Sequence, residues 1–281
     1  MLVSVCLSAL LTLQSPAVES DYVKNQTSWR KSLDSDLRRP QGWLSLVGLS
    51  WLSPGENSVG SAEGSQILLP KSAPAHYGKI QFRDGKVSLS INGGASSDLL
   101  ADSSGNPTRT TVGSVTFIVI KRGARTGVRI WDSASKSLAD FKGCKWYPVN
   151  PAYRIVADWV PYEKTQSMPI TNVLGDTAPV ENPGYVTFKI GGKTCRLEAQ
   201  GAGDGLFFNF QDSTTGTTTY PAGRFLDAPG PKDGKVILDF NRATNPPCAF
   251  TSYATCPLPP AANRLSVAIP AGEKTHHPSI D

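Results

Sequence analysis

The residues best suited to chemistry in this chain are acidic, amide and guanidinium side chains that accumulate toward its C-terminus. Two carboxylates held in different environments can act as acid and base on a glycoside or a similar bond. The same side chains, held rigidly without a reaction, can bind a small polar or carbohydrate-like ligand. The candidate residues are, in chain order, Asp212, Tyr220, Arg224, Asp239, Asn241, Arg242, Asn263 and Glu273.

Three interpretations of this set are open. The leading one is a binding site for a small polar or carbohydrate-like ligand, with Tyr220 or Tyr253 as a ring that stacks on a sugar. The second is a hydrolase that uses Asp239 or Glu273 as acid or base. The third is purely structural: ion pairs and hydrogen bonds that fix a loop. A serine hydrolase is not favoured, because the chain has no Gly-x-Ser-x-Gly elbow and only three histidines.

The stretch that carries most of these residues, 239–273, is predicted to be a rigid irregular loop. Proline fixes φ and removes a backbone donor, so a proline-rich stretch cannot form an ordinary helix or a central strand. Rigid irregular backbone is where proteins often hold binding and catalytic side chains. The prolines that argue for this loop are Pro246, Pro247, Pro257, Pro259 and Pro260.

Four cysteines follow the first twenty residues: Cys144, Cys195, Cys248 and Cys256. An even number permits disulfides in an exported protein, and Cys248 and Cys256, which flank the proline-bounded part of the loop, are predicted to form one. A metal site and a pair of buried thiols are the alternatives. Metal is the less favoured of these, because zinc sites normally show Cys-x-x-Cys spacing or histidine partners. We therefore expect no metal and no cofactor.

The first twenty residues are typical of a secretory signal peptide, since residues 1–13 are apolar and uncharged and small residues follow. A basic start is missing, and the alternative is a buried N-terminal strand or helix. Export to the periplasm or the extracellular space is expected, without membrane association once the segment is removed. The net charge is +5 but no Lys/Arg run occurs, which argues against nucleic acid as a partner.

Upstream of the loop, the sequence predicts a mainly β protein with one short N-terminal helix. The 26 glycines and 22 prolines favour many turns and few long helices. Tyr22, Trp29, Leu33 and Leu37 share one face of an amphipathic helix predicted over 21–41. Short β-prone runs predict strands at 66–69, 79–82, 86–91, 114–121, 126–131, 153–160, 171–174, 184–190, 193–199, 205–210, 217–220 and 236–240.

The regular short strands predict a sandwich or a barrel, and the polar stretch Ser133 to Ala139 is the candidate boundary between two β units. A β-sandwich is expected over 42–135 and a second β unit over 136–275, closed by the Cys/Pro-rich loop, with a disordered tail over 276–281. Asp84-Gly85 between two of the strands predicts a hairpin turn.

The segment 48–130 loosely resembles the forkhead-associated β-sandwich. Asn57, Gly60, Ser72 and His76 follow the order of that family's phosphate-binding loops. The family's Arg after the glycine is Ser61 here, so the planar grip on a phosphate is absent. The resemblance therefore implies a fold, and a protein-interaction module through this N-terminal sandwich is a further alternative function.

Longer motifs resemble a prokaryotic family known as domain of unknown function 1684. The motifs include Gly42-Trp43-Leu44, Gly48 to Leu52, Arg129 to Asp132, Asn172 to Gly175, Asp212 to Gly216, Gly223 to Leu226, Leu238 to Ala243, Asn245 to Phe250, Ala254 to Pro260 and Ala271 to Lys274. The resemblance runs from about Trp29 to Lys274. It implies membership of the family and no particular chemistry, so no catalytic role is carried over.

Overall fold

The protein is mainly β, as its sequence predicts. The computed structural model describes residues 16–276, with 45% of residues in strands and 16% in helices. The helices include one at the N-terminus, and none of the sheets formed by the described residues closes into a barrel.

Helix α1 (Pro16–Leu37) lies against the C-terminal half of the molecule. It begins at Pro16 rather than 21 and ends at Leu37 rather than 41, because the chain turns ahead of Pro40, where helical backbone is disfavoured. Leu33 and Leu37 pack in a small cluster with residues from the C-terminal half. Residues 1–15, most of the predicted signal peptide, lie outside the described range.

The N-terminal half consists of two sheets. Its strands are β1 (Leu46–Trp51), β2 (Gly55–Gly60), β3 (Ile67–Leu68), β4 (Gly78–Arg83), β5 (Lys86–Ile91), β6 (Ser96–Asp98), β7 (Thr110–Val112), β8 (Val115–Arg122) and β9 (Arg125–Asp132). The strand orders are β1-β9-β8-β7 and β3-β2-β4-β5-β6, and all neighbours are antiparallel except β2 and β3. At the β4–β5 hairpin, Asp84 and Gly85 have φ of 50° and 75°, as the predicted tight turn requires.

These two sheets share one apolar core, which makes the N-terminal half a sandwich. Ile80 and Leu89 from one sheet meet Phe117, Val119 and Ile130 from the other, and all five are 2% exposed or less. Each such side chain contributes about 1.5–3 kcal/mol through its removal from water.

The second half also contains two sheets. Its strands are β10 (Arg154–Thr171), β11 (Thr177–Ile190), β12 (Lys193–Glu198), β13 (Gln200–Ala202), β14 (Gly205–Phe210), β15 (Arg224–Pro229) and β16 (Lys235–Asp239). The orders are β12-β11-β10-β16 and β13-β14-β15. A short helix, α2 (Lys136–Asp140), which the sequence did not predict, joins the two halves.

Most predicted strands are present, and the misses have local causes. Strand β2 is absent from the predicted strands; it contains Asn57, whose side chain bonds backbone groups of Ser53 and Gly55. The run 217–220 is not a strand. The N–H groups of Thr217, Thr218 and Thr219 bond the Thr214 carbonyl oxygen instead.

After β16 the chain has no long strand or helix up to residue 276. It contains three-residue 3₁₀ turns at Phe240–Arg242, Pro247–Ala249 and Ala261–Asn263, consistent with a proline-rich irregular loop. His276, placed by prediction in a disordered tail, lies against the rings of Phe141 and Phe250. Residues 277–281 of that tail are outside the described range.

Within residues 16–276, no helix has the length and apolar character needed to cross a bilayer.

Candidate functional site

Asp239 is held by helix α1. Its carboxylate accepts hydrogen bonds from the Tyr22 hydroxyl, 2.8 and 2.9 Å from its two oxygens, and from the Gln26 side chain at 2.7 Å. The backbone N–H of Asn241 adds a bond of 3.2 Å. Burial, followed by the hydrogen bond to Asp239, raises the pKa of Tyr22, so the hydroxyl stays protonated and donates. The carboxylate is therefore fully occupied by its own chain.

Asn241 ties this centre to the segment before β10. Its side chain donates to the Asn150 carbonyl oxygen at 2.8 Å and accepts from the Asn150 N–H at 2.9 Å. Arg30 of α1 donates to the Tyr147 carbonyl oxygen at 3.0 Å. These bonds satisfy backbone groups that no strand pairs, which is a structural role.

Arg242 extends from the same turn toward the ring of Trp29. Its Nε donates to the Gln26 side-chain oxygen at 3.3 Å, and its guanidinium lies 5.3 Å from the Trp29 ring centre. Trp29 meets Trp146 edge-on, and Arg30 stacks on Trp146 at 4.5 Å. Cation–π stacking of this kind fixes the helix on the body of the protein.

Arg224 is paired with Asp212 and not with Asp239 or Glu273. The pair is 3.2 Å apart, and both side chains are almost fully buried, at 1% and 0% exposed. Arg224 also donates to the carbonyl oxygens of Ala271 and Ile269, while Asp212 accepts from the Ile269 N–H at 2.6 Å. The pair thus fixes residues 269–271, and no solvent reaches it.

Glu273 is fully buried and belongs to neither the Asp239 turn nor the Asp212–Arg224 pair. One carboxylate oxygen accepts from the Asn245 N–H at 2.7 Å, and the thiol of Cys144 lies beside the group. Its other oxygen has no hydrogen-bond partner among the described residues. Burial raises the pKa of Glu273 to about 7, so near neutrality the carboxyl keeps a proton part of the time.

Asn263 makes a separate set of hydrogen bonds. Its amide group accepts from the Glu198 N–H at 2.7 Å and donates to the carbonyl oxygens of Glu198 and Asn209 at 3.0 Å each. Tyr220 is separate again, with its hydroxyl 2.8 Å from the Cys248 carbonyl oxygen.

The eight candidate residues therefore do not form one centre. Asp239, Asn241 and Arg242 share one turn, Asp212 and Arg224 form a pair, and the other three side chains each bond different backbone groups, although the charge of Glu273 acts on Arg224. The single cluster expected from sequence is wrong for a physical reason. The irregular loop offers many unpaired backbone groups, and each polar side chain is used on the nearest of them. Gln26, which sequence reasoning missed, falls one helical turn after Tyr22, and that spacing was the available signal.

The predicted Cys248–Cys256 disulfide is not formed. All four cysteines of the described range are free thiols, and the sulfur of Cys256 accepts a hydrogen bond from the Cys248 N–H at 3.0 Å. The two residues are nevertheless neighbours, as their predicted pairing requires.

An open cavity of about 510 Å³ lies elsewhere, where the sandwich meets the C-terminal loop. The edge strand β1 forms one wall through Val47–Ser50, and the turn into α2 forms another through Asp132 and Ala134–Ser137. Tyr253, 39% exposed, comes from the loop between the two cysteines. The walls of this cavity carry both polar and apolar surface, which is typical of small-molecule sites. Sequence reasoning named Tyr253 but not Asp132, which carries no spacing signal.

The forkhead-like end of the sandwich is not arranged to bind a phosphate. The Ser61 hydroxyl donates to the Ala73 carbonyl oxygen at 2.7 Å, so it is already used by the protein's own backbone. The Ser72 hydroxyl lies 3.4 Å from the Asp132 carboxylate, and an anion there would meet a like charge. In the described part of the chain, no group of three or more His, Cys, Asp and Glu side chains could hold a metal ion.

Comparison with known proteins identifies the family. Residues 139–274 match the family described as "Protein of unknown function (DUF1684)". The chain belongs to this family. The resemblance found in the sequence motifs is thereby confirmed, although the matched residues begin at 139 and leave the motifs of the first half outside.

One solved structure similar to this family member is the solution NMR structure of an uncharacterized protein of Haloarcula marismortui. The two chains are 33% identical over 49% of this chain and 78% of the other, with a TM-score of 0.41. No curated protein matches the chain.

The DUF1684 range contains all eight candidate residues, both loop cysteines and Tyr253. Tyr22, Gln26 and Asp132 lie outside it. Because the family's description assigns no function, any role for these residues must be argued from their geometry.

Proposed function

We propose that the protein is an exported, non-catalytic binding protein for a small polar or carbohydrate-like ligand, and that the ligand binds in the cavity beside Tyr253. The observation that carries this proposal is the cavity itself. At about 510 Å³, open to solvent and walled by both polar and apolar groups, it has the size and surface of a small-molecule site.

Two side chains in the cavity have the chemistry that sugar recognition uses. The Tyr253 ring is exposed, and its hydroxyl makes no hydrogen bond to any described residue. The face of the ring can therefore stack on a ligand while the hydroxyl forms a hydrogen bond with it. Asp132 accepts from the Ala134 N–H at 2.9 Å and from Ser72 at 3.4 Å. Since a carboxylate offers about four lone-pair positions, two remain for ligand hydroxyl groups.

The hydrolase alternative has less support. Glu273 is fully buried, and Asp239 is occupied by Tyr22, Gln26 and Asn241, so neither carboxylate faces an open space that a substrate could enter. A glycosidase requires both carboxyl groups to flank the bond that is cleaved.

Export is compatible with the site. Removal of residues 1–20 would leave Tyr22 and Gln26 in place on α1, so the contacts with Asp239 do not depend on the predicted signal peptide. Mass spectrometry of the protein from the exporting cell should find a mature N-terminus close to residue 21. A chain that retains Met1 contradicts this part of the proposal.

The binding proposal is tested by titration with a panel of saccharides, namely glucose, N-acetylglucosamine and glucuronic acid as representatives of neutral, amide-bearing and acidic sugars. Saturation-transfer NMR should detect binding of at least one class. Tyr253→Ala should abolish that signal, because the stacking ring is lost. Tyr253→Phe should keep most of it, and Asp132→Asn should weaken it while leaving the bond to Ala134.

Val156→Ala is the matched control, since Val156 is an apolar side chain 60% exposed and outside the cavity. It should bind as the unaltered protein does. Failure of the whole panel at millimolar concentrations, or equal binding by Tyr253→Ala and the unaltered protein, overturns the proposal.

A further inference from the structure

The two cysteines of the C-terminal loop lie in contact as thiols. Cys248 sits in the 3₁₀ turn Pro247–Ala249, and its N–H donates to the Cys256 sulfur at 3.0 Å. The two thiol groups are also hydrogen-bonded to each other. Because the Cys256 sulfur lies within hydrogen-bond distance of the Cys248 backbone, the two side chains are close enough in the chain fold to be candidates for a bond between their sulfurs.

The two thiols differ in access and in acidity. Cys248 is half-buried, whereas Cys256 is 4% exposed. The hydrogen bond from the Cys256 thiol, assisted by the Tyr220 hydroxyl, lowers the pKa of Cys248 despite its burial. The same hydrogen bond, together with burial, raises the pKa of Cys256. Such a pairing gives one accessible thiol with thiolate character and one protected thiol.

A buried cation stands beside this pair. The Arg129 guanidinium is 9% exposed, makes no hydrogen bond to any described residue, and stacks on the Trp43 ring at 5.7 Å. Its charge acts on Cys256 and opposes the rise of that thiol's pKa. Asp102 and the Cys256 sulfur both favour the charged form of Arg129, so the guanidinium in turn favours a negative charge on Cys256.

We propose that Cys248 and Cys256 form a reversible redox pair that accepts low-molecular-weight disulfides as oxidants, with Cys248 as the attacking thiol and Cys256 as the resolving thiol. This inference does not rest on ligand binding at Tyr253.

The reaction has two balanced steps. The Cys248 thiolate attacks one sulfur of the external disulfide, forms a mixed disulfide, and expels the other sulfur as a thiolate that takes a proton from water. Cys256 then loses its proton to solvent and attacks the Cys248 sulfur, which expels the second external thiolate. The external disulfide gains two electrons and becomes two thiols, and the protein dithiol becomes a disulfide.

Alkylation rates test the first half of the proposal. With limiting iodoacetamide on the native protein, Cys248 should react roughly ten-fold or more faster than Cys144, which is also half-buried but has a raised pKa, and faster than buried Cys195. The advantage should shrink in Tyr220→Phe, which removes the hydroxyl that donates to the Cys248 carbonyl oxygen and lowers the pKa of the Cys248 thiol. The pKa of Cys248 is set by the Cys256 thiol, by burial, by the Tyr220 hydroxyl and by its own backbone.

Oxidation with glutathione disulfide tests the second half. Peptide mapping of the unaltered protein should find Cys248 linked to Cys256 and two glutathione molecules released per chain. Cys256→Ser should stop at Cys248 joined to glutathione, and reduction should restore both thiols. Equal alkylation of Cys248 and Cys144, or a native protein whose Cys248 and Cys256 both survive the oxidant, overturns the proposal even if the serine variant does not fold.

Discussion

The N-terminal sandwich and the segment after β16 satisfy their buried backbone groups in different ways. The N-terminal sandwich is filled by aliphatic and aromatic groups such as Ile80 and Phe117. The segment after β16 is instead surrounded by charges and amides, each 6% exposed or less: Asp212, Arg224, Asn241, Asn263 and Glu273.

The difference follows from the backbone. In the sandwich, N–H and C=O groups pair across strands, so the side chains are free to be apolar. The loop has no such ladder, and its backbone groups are satisfied by side chains: Arg224 bonds the carbonyl oxygens of Ala271 and Ile269, and Glu273 bonds the Asn245 N–H. In this segment, buried polar side chains supply the backbone hydrogen bonds that neighbouring strands supply in the sandwich.

The largest effect is expected at the Asp212–Arg224 pair. Asp212→Ala leaves the Arg224 guanidinium buried without its partner, which costs about 3–5 kcal/mol of unfolding free energy. Urea unfolding followed by tryptophan fluorescence measures it. Replacing both residues, as Asp212→Leu with Arg224→Met, should recover part of the loss, because no charge is then left unpaired.

The control for this pair is the exposed Glu56–Lys79 ion pair of the sandwich, at 57% and 62% exposed. Glu56→Ala should change the unfolding free energy by less than about 1 kcal/mol. Equal effects at the two pairs would mean that burial is not what gives the Asp212 pair its importance.

In the sandwich, a loss of unfolding free energy of comparable size is expected when a buried apolar side chain is removed. Ile80→Ala should cost about 2–5 kcal/mol through the cavity it leaves. Since no charge is involved, the loss should be the same at pH 5 and pH 7.5. A loss that varies with pH would show that the sandwich, like the loop, depends on a titrating group.

The loop, in contrast, should respond to pH through Glu273. Its pKa is raised from 4.5 to about 7 in the folded state, so the folded protein holds this proton more tightly than the unfolded chain. The contribution is complete below about pH 4.5 and is lost as the pH rises to about 7, an amount of about 3 kcal/mol. Glu273→Gln should remove this decline, as unfolding curves at several pH values can show. If the unfolding free energy of the variant still falls with rising pH as steeply as that of the unaltered protein, another titrating group causes the decline.

A smaller effect is expected where α1 meets Asp239, because this carboxylate is only half-buried. Asp239→Asn should lower the unfolding free energy by about 1–2 kcal/mol, since it weakens hydrogen bonds to a charged acceptor. Tyr22→Phe removes one of the same bonds, so the double variant should lose less than the sum of the two single losses. Strict additivity in this cycle contradicts direct coupling between helix and loop.

The sandwich strands could be predicted because each strand is marked locally, by its own alternation of apolar residues and by the turn residues at its ends. The hairpin at Asp84-Gly85 is an example, since its turn type depends on two adjacent residues. The loop could be predicted only in part. Its prolines indicated rigid irregular backbone, but the partner of Arg224 depended on which of Asp212, Asp239 and Glu273 the fold places nearest, and no local pattern encodes that distance. The cavity was missed for the same reason, because its walls come from Val47, Asp132 and Tyr253, which are far apart in the chain.

The central claim is that the polar residues near the C-terminus hold the fold while ligand is bound at Tyr253. Backbone amide chemical-shift mapping during the saccharide titration tests it most directly. The account predicts shifts at Val47–Ser50, Asp132–Ser137 and Tyr253, with Asp239, Asn241 and Trp146 unmoved. Shifts centred on Asp239 and its helix contacts, with none around Tyr253, would contradict it.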